Sequence, residues 1–126
     1  MTDVTGFGLL GHLTEMCEGS SVSAEVYFDK VPLLTGDLET YVAMNSVPGG
    51  TNRNWDSYGS KISFAENINK KYATALLADP QTSGGLLIAV DETAKEEVEV
   101  LLQQYGLFNT PIGRTTEQKE ELITVL

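Results

Sequence analysis

The sequence predicts an α+β fold, a sheet of about four strands with helices packed on it. Three patterns carry that prediction. Near the start, Leu9, Leu10, Leu13, Met16 and Cys17 recur at helical spacing and form one apolar stripe. Over 23–28, Ala24, Val26 and Phe28 alternate with polar residues, as a half-buried strand requires. Later, Ala94, Val98, Leu101, Leu102 and Tyr105 follow the capping-box string Thr93-Ala94-Lys95-Glu96 at i, i+4, i+7, i+8 and i+11. A chain of 126 residues is long enough for one such domain with a real core.

The elements follow in order. Thr5 can cap the first helix, because its hydroxyl can accept from an unpaired amide of the first turn. Gly6, Gly8 and Gly11 leave part of those turns without side chains, so a backbone or a ligand can come close. The string Glu18-Gly19-Ser20-Ser21 closes the helix, and the strand over 23–28 follows. A second helix is expected over 37–45, with Leu34, Leu38, Tyr41 and Val42 inward and 46–50 as its stop. From 51 to 71 no period is clear. We expect an ordered loop there with room for a helical turn, since Trp55, Tyr58 and Phe64 would be costly to expose.

A short helix is expected around 70–77. The turn over 79–85 then leads into 86–90, a wholly apolar run that reads as a central strand covered on both faces. The capping-box helix ends at Gly106, with Lys95, Glu97 and Gln103 toward water. Two strands, over 110–115 and 122–126, close the chain around the acidic turn 117–121.

Composition removes several functional classes. The formal net charge is −10, with 8 Lys and Arg against 18 acids, the wrong sign for neutralising nucleic-acid phosphates. No apolar run is long enough to span a membrane and nothing reads as a signal peptide, so no membrane partner is expected. The single Cys17 can form no disulfide within the chain and sits on the apolar stripe, so it reads as core in a reducing cytoplasm. The string Gly6-x-Gly8-x-x-Gly11 matches a dinucleotide fingerprint, but only five residues precede it, and Asp3 stands where a pyrophosphate would approach.

Three polar, glycine-containing stretches are the candidate site: 3–8, 49–54 and 79–85. Asp3 lies just ahead of a helix N-terminus, whose partial positive charge suits phosphate. A carboxylate there would repel phosphate unless a cation lay between, so Asp3 is the candidate magnesium ligand; the simpler role is a helix-start acid favoured by the dipole. One carboxylate does not hold magnesium unaided. Asp79 is the internal candidate for a second ligand, against a plain turn role ahead of Pro80. Gly49-Gly50-Thr51-x-Arg53-Asn54 offers amides and a guanidinium to an anion, against an Arg simply paired with one of the many acids. Thr82-Ser83-Gly84-Gly85 has the composition of a phosphate loop but runs into a strand, which supplies no helix dipole. His12, the only histidine, has no partner for general-base work in the sequence and reads as a partly buried structural residue.

Taken together, these strings resemble a known family. Residues 2–13, T-D-V-T-G-F-G-L-L-G-H-L, are similar to the opening of the C-terminal domain of selenophosphate synthetases (selenide, water dikinases), and 49–54 and 79–87 are similar to its second and third signatures, in order. The resemblance implies the C-terminal domain fold of aminoimidazole ribonucleotide synthetase-like proteins, partly ferredoxin-like. It implies an enzyme that turns selenide, ATP and water into selenophosphate, AMP and phosphate with magnesium. It assigns Asp3 as a Mg2+ ligand shared with aspartates of an N-terminal ATP-binding domain. Thr5, Arg53, Asn54, Thr82 and Ser83 carry over more weakly, as residues that line the ATP cleft or only shape it.

That N-terminal half, with its nucleophilic Cys or selenocysteine and its essential Lys, has no counterpart here, and Cys17 does not replace it. The chain is therefore expected to be one domain of a two-domain, cytoplasmic, homodimeric enzyme, inactive alone and without tightly bound cofactor. The surface that faces the other half is expected around the first helix, where it would favour non-native association. The alternatives are the C-terminal domain of another enzyme of the superfamily, or a free-standing module that binds a metabolite or a protein without chemistry.

Overall fold

The computed structural model describes residues 1–126. Its main sheet has four strands in the order β3-β6-β2-β5, where β2 is Val22–Val26, β3 Ile62–Phe64, β5 Gly113–Glu117 and β6 Ile123–Val125. Strand β2 runs antiparallel to β5 and parallel to β6, and β6 runs parallel to β3. The last two strands therefore flank β2 instead of pairing with each other. Register places Ala24 against Ile123 and Val26 against Val125, so one face of the sheet is apolar. On the other face Glu25 accepts from Arg114 and Lys119. These two cations, Arg114 first, hold its carboxyl below the ordinary range.

The apolar face meets α1 (Gly8–Ser20) and α4 (Lys70–Leu77). Leu10, Cys17, Leu77, Ile123, Val125 and Val26 are closed off from water there and make the core. Helix α1 ends at Ser21 in the left-handed conformation, φ 54°. Helix α4 falls where a short helix was expected, over 70–77, and is capped by Asn69, whose side chain accepts from the Tyr72 amide.

Four expectations are corrected. The second helix, α2, is only Leu38–Ala43; Leu34 lies ahead of it and is 98% exposed, and Tyr41 is 50% exposed because this short helix turns Val42, not Tyr41, toward α4. The stretch read as a loop holds a helix, α3 (Gly49–Tyr58), a 3₁₀ turn and strand β3. The run over 86–90 is no central strand. Only Leu86–Leu87 (β4) pairs, with the two-residue β1 (Thr2–Asp3), and Leu86, Ile88 and Val90 stay exposed because the partner strand is that short. Lastly, Thr93 does not cap the late helix. A 3₁₀ turn at Glu92–Ala94 shifts its start upstream, so Asp91 takes the Thr93 amide at 2.9 Å and the Thr93 hydroxyl at 2.6 Å. Helix α5 (Lys95–Gln104) buries none of its residues, and Leu101 and Tyr105 are exposed.

Candidate functional site

The three glycine-containing stretches converge. The first and third zip together as extended backbone. Asp3 pairs with Leu86, the Val4 amide donates to the Gly85 carbonyl at 2.8 Å, and the Gly84 amide returns a bond to the Val4 carbonyl at 3.1 Å. The Gln81 amide then donates to the Thr5 carbonyl at 3.0 Å. The second stretch is the start of α3, whose inward side chains fasten the other two. Asn54 Nδ2 donates to the Gly6 carbonyl (2.8 Å) and to the Ala78 carbonyl (2.9 Å). The Thr51 hydroxyl donates to Asp79 Oδ1 (3.2 Å), and the Tyr58 hydroxyl donates to the Phe7 carbonyl (2.7 Å).

This closeness depends on missing side chains. Gly8 begins α1 at φ +71°, and a β-carbon there would lie 2.8 Å from the Ala78 carbonyl carbon. A β-carbon on Gly84 would lie 2.8 Å from the Val4 oxygen. Backbone meets backbone at both points, so neither contact can yield by a rotamer change.

Each candidate residue can now be placed. Asp3 is exposed on β1, and its carboxylate enters no side-chain hydrogen bond and no ion pair. Thr5 does not cap α1. Phe7 holds the N-cap position with no side-chain bond, because Gly6 and Phe7 make a turn between Thr5 and the helix. Instead His12 reaches back, and the Thr5 amide donates to its Nε2 at 3.0 Å while the Thr5 hydroxyl lies 3.1 Å from the same atom. To accept, Nε2 must be unprotonated, which leaves the proton on Nδ1. Nδ1 is buried without a hydrogen-bond partner, and Glu15 Oε2 at 3.4 Å is only an electrostatic neighbour.

Arg53 is exposed on α3 and has no carboxylate partner. Asn54 is buried, with its amide hydrogens committed to the two loops. Thr82 and Ser83 are exposed at the tip of the third loop. Asp79 accepts from Thr51 and from Gln81 Nε2 (3.0 Å), which makes it a turn-holding acid.

Sequence reasoning missed Tyr58 and the reach of His12. Burial pushes the Tyr58 hydroxyl up to about 12, with the Gly11 amide working the other way. The available signal was spacing, since Thr51, Asn54 and Tyr58 stand at i, i+3 and i+7 and are the buried residues of α3.

Chemically, the arrangement is a rigid shelf of three backbones that presents one free carboxylate, one free guanidinium and two loop hydroxyls. No three His, Cys, Asp or Glu side chains come together as a metal cluster. Asp3 thus fits a divalent cation as one ligand, and a hard cation such as magnesium would take its remaining oxygens from phosphate, water or another carboxylate.

The family pattern described as AIR synthase related protein, C-terminal domain, matches residues 1–125. The chain is 50% identical over 129 residues to a selenide, water dikinase of Pasteurella multocida (strain Pm70), which takes in 100% of this chain. It is 50% identical over 125 residues to one of Photorhabdus laumondii subsp. laumondii, covering 99% of this chain, and 47% identical over 126 residues to one of Sulfurimonas denitrificans, covering 100%. In each case the match takes in 35% of the relative, so the chain spans about a third of the length of the curated relatives it matches.

Proposed function

The chain belongs to the family of AIR synthase related proteins, C-terminal domain, and on that premise we propose that it serves as the C-terminal domain of a selenide, water dikinase. The supporting observation is the free carboxylate of Asp3 on a shelf built from all three motif stretches. In this reading the reaction converts selenide, ATP and water into selenophosphate, AMP and phosphate. An ATP-binding N-terminal domain supplies the remaining groups, and the whole enzyme works as a cytoplasmic homodimer.

The chain's own residues divide into two kinds. Asp3 would hold Mg2+ as one carboxylate ligand, and Arg53 would offer its charge to a phosphate of ATP without first having to leave an acid. Thr82 and Ser83 present hydroxyls at the edge of the same shelf. Thr5 and Asn54 act by position, since both are committed to His12 and to the loop carbonyls. Bound magnesium would draw negative charge off the phosphate oxygens and so ease attack at phosphorus. Rigidity is the chain's other contribution, because a ligand held on a stiff backbone loses little freedom when the cleft closes.

The test is a chimera in which this chain replaces the matching third of the Pasteurella multocida relative. Selenide-dependent AMP formation from ATP is expected from the chimera and not from the 126-residue chain alone. Turnover by the chain alone, or a folded chimera without turnover, would overturn the reading.

A further inference from the structure

A second feature of α3 lies on its side toward α2 and α4, and its lining includes Thr51 and Asn52 of the 49–54 stretch. Asn52 and Trp55 form one wall of an open groove of about 580 Å³, which Val42 and Asn45 and, on α4, Lys70 and Lys71 also line. That volume suits a small molecule. No Asp or Glu lines it.

The placement of cations over the whole molecule makes the groove unusual. Lys61, Lys95, Arg114 and Lys119 are all in ion pairs, and Lys30 lies over the Tyr27 ring at 4.7 Å. Four cations lack a carboxylate partner in a chain with 18 acids: Arg53, Lys30, which rests on the Tyr27 ring, and the adjacent pair Lys70 and Lys71. The pair occupies the first turn of α4, where the helix dipole disfavours positive charge, and no acid in that turn offsets it. Lys70 Nζ stands 5.7 Å from the Trp55 ring centre and 5.8 Å from that of Phe64, which tethers the ammonium beside the groove. Two like charges kept together against local preference, with no counter-charge, are a conflict that folding alone does not reward.

We propose that this groove is a binding site for a phosphate-bearing small molecule, held by Lys70 and Lys71. A multiply charged phosphate supplies the missing counter-charge to both ammonium groups at once. The Asn45 and Asn52 side-chain amides supply neutral donors beside it. The net charge of −10 repels extended polyanions, so the attraction is local to the groove and selects small ligands. The proposal does not depend on the reading of Asp3.

Trp55 is the only tryptophan and reports directly on the groove. Titration of the 126-residue chain with inorganic pyrophosphate, at constant ionic strength set with chloride, is expected to give a saturable change in tryptophan fluorescence. The double variant Lys70→Gln, Lys71→Gln is expected to weaken binding at least tenfold; Lys95→Gln, at an exposed and paired lysine, is expected to leave it unchanged. The lysines are exposed, so both variants should fold, and circular dichroism checks this. No saturable response, an unchanged midpoint in the double variant, or equal weakening by Lys95→Gln would each overturn the proposal.

Discussion

At the scale of single residues, His12 and Tyr58 hold the start of α1 from opposite ends, one by accepting and one by donating. His12 accepts the Thr5 amide and packs edge-on against Phe7 at 5.9 Å. Its replacement by Ala should cost about 1–3 kcal/mol, because the Thr5 amide loses its acceptor. His12→Gln, whose side-chain oxygen reaches as far as Nε2, should recover much of that loss in denaturant melts. Tyr58 donates to the Phe7 carbonyl, and Tyr58→Phe should cost about 1–2 kcal/mol at neutral pH. Its hydroxyl is pushed from 10.0 to about 12 in the folded protein, so the unfolded chain ionises first. The stabilisation from its neutral form is therefore complete below pH 10 and lost as pH rises to 12. Stability curves of the native chain and Tyr58→Phe should approach one another over that interval and run parallel below it; curves that stay parallel to pH 12 would contradict this role. The free state of Asp3 and Arg53 was not legible, since the sequence allowed Arg53 to pair with one of the 18 acids and the fold leaves it, like Asp3, without a partner. The His12 link was not legible, since a bond from a backbone amide to a ring nitrogen seven residues later leaves no mark in composition.

At the scale of elements, α3 shows where periodicity fails. Its buried residues recur at helical spacing but include Thr51 and Asn54, so an apolar stripe is absent and the stretch reads as a loop. What holds it helical is tertiary: hydrogen bonds to Gly6, Ala78, Asp79 and Phe7, and the Trp55 ring against Phe64 at 5.7 Å. The run over 86–90 misled in the other direction. Its apolar content is real, but the two residues of β1 are too few to extend the pairing. Helix α1 was legible because its apolar stripe packs on the sheet, and packing is what the stripe records; α4 also falls within its expected range. The loops depend more on glycine. Gly8→Ala would combine a left-handed backbone with a β-carbon driven into Ala78, and should cost about 2–4 kcal/mol. Thermal melting checks it, and a loss below about 0.5 kcal/mol would mean that the loops can separate freely.

At the scale of the whole molecule, the chain is a well-packed half joined to an open one. The sheet with α1 and α4 excludes water, whereas Leu86, Val100, Leu101, Tyr105, Leu107 and Phe108 all lie more than half or about half exposed. The expected exposure around the first helix is limited to Phe7 at its start, and most of the apolar surface lies along β4 and α5. Apolar surface on this scale favours association. Light scattering should show the apparent mass of the 126-residue chain rising with concentration, and Leu101→Glu on exposed α5 with Tyr105→Glu just past its end should suppress the rise; a constant monomer mass would contradict it. The α+β class and three strands of the sheet, β2, β5 and β6, were legible because local patterns and overall packing agree there, whereas β3 lay in the stretch read as a loop and the expected strand over 86–90 is not in the sheet. The convergence of the three motif stretches was not legible, since it arises from backbone pairing and from side-chain bonds to carbonyls between residues dozens of positions apart.

The central claim, that Asp3 is a metal arm working with ligands from elsewhere, is tested most directly by Asp3→Asn in the chimera with the longer relative. Selenide-dependent AMP formation should fall about a hundredfold or more, equivalent to ~2.7 kcal/mol of transition-state stabilisation. The melting temperature should stay unchanged, because this exposed carboxylate supports no other side chain. Full turnover by the Asn variant would contradict the account.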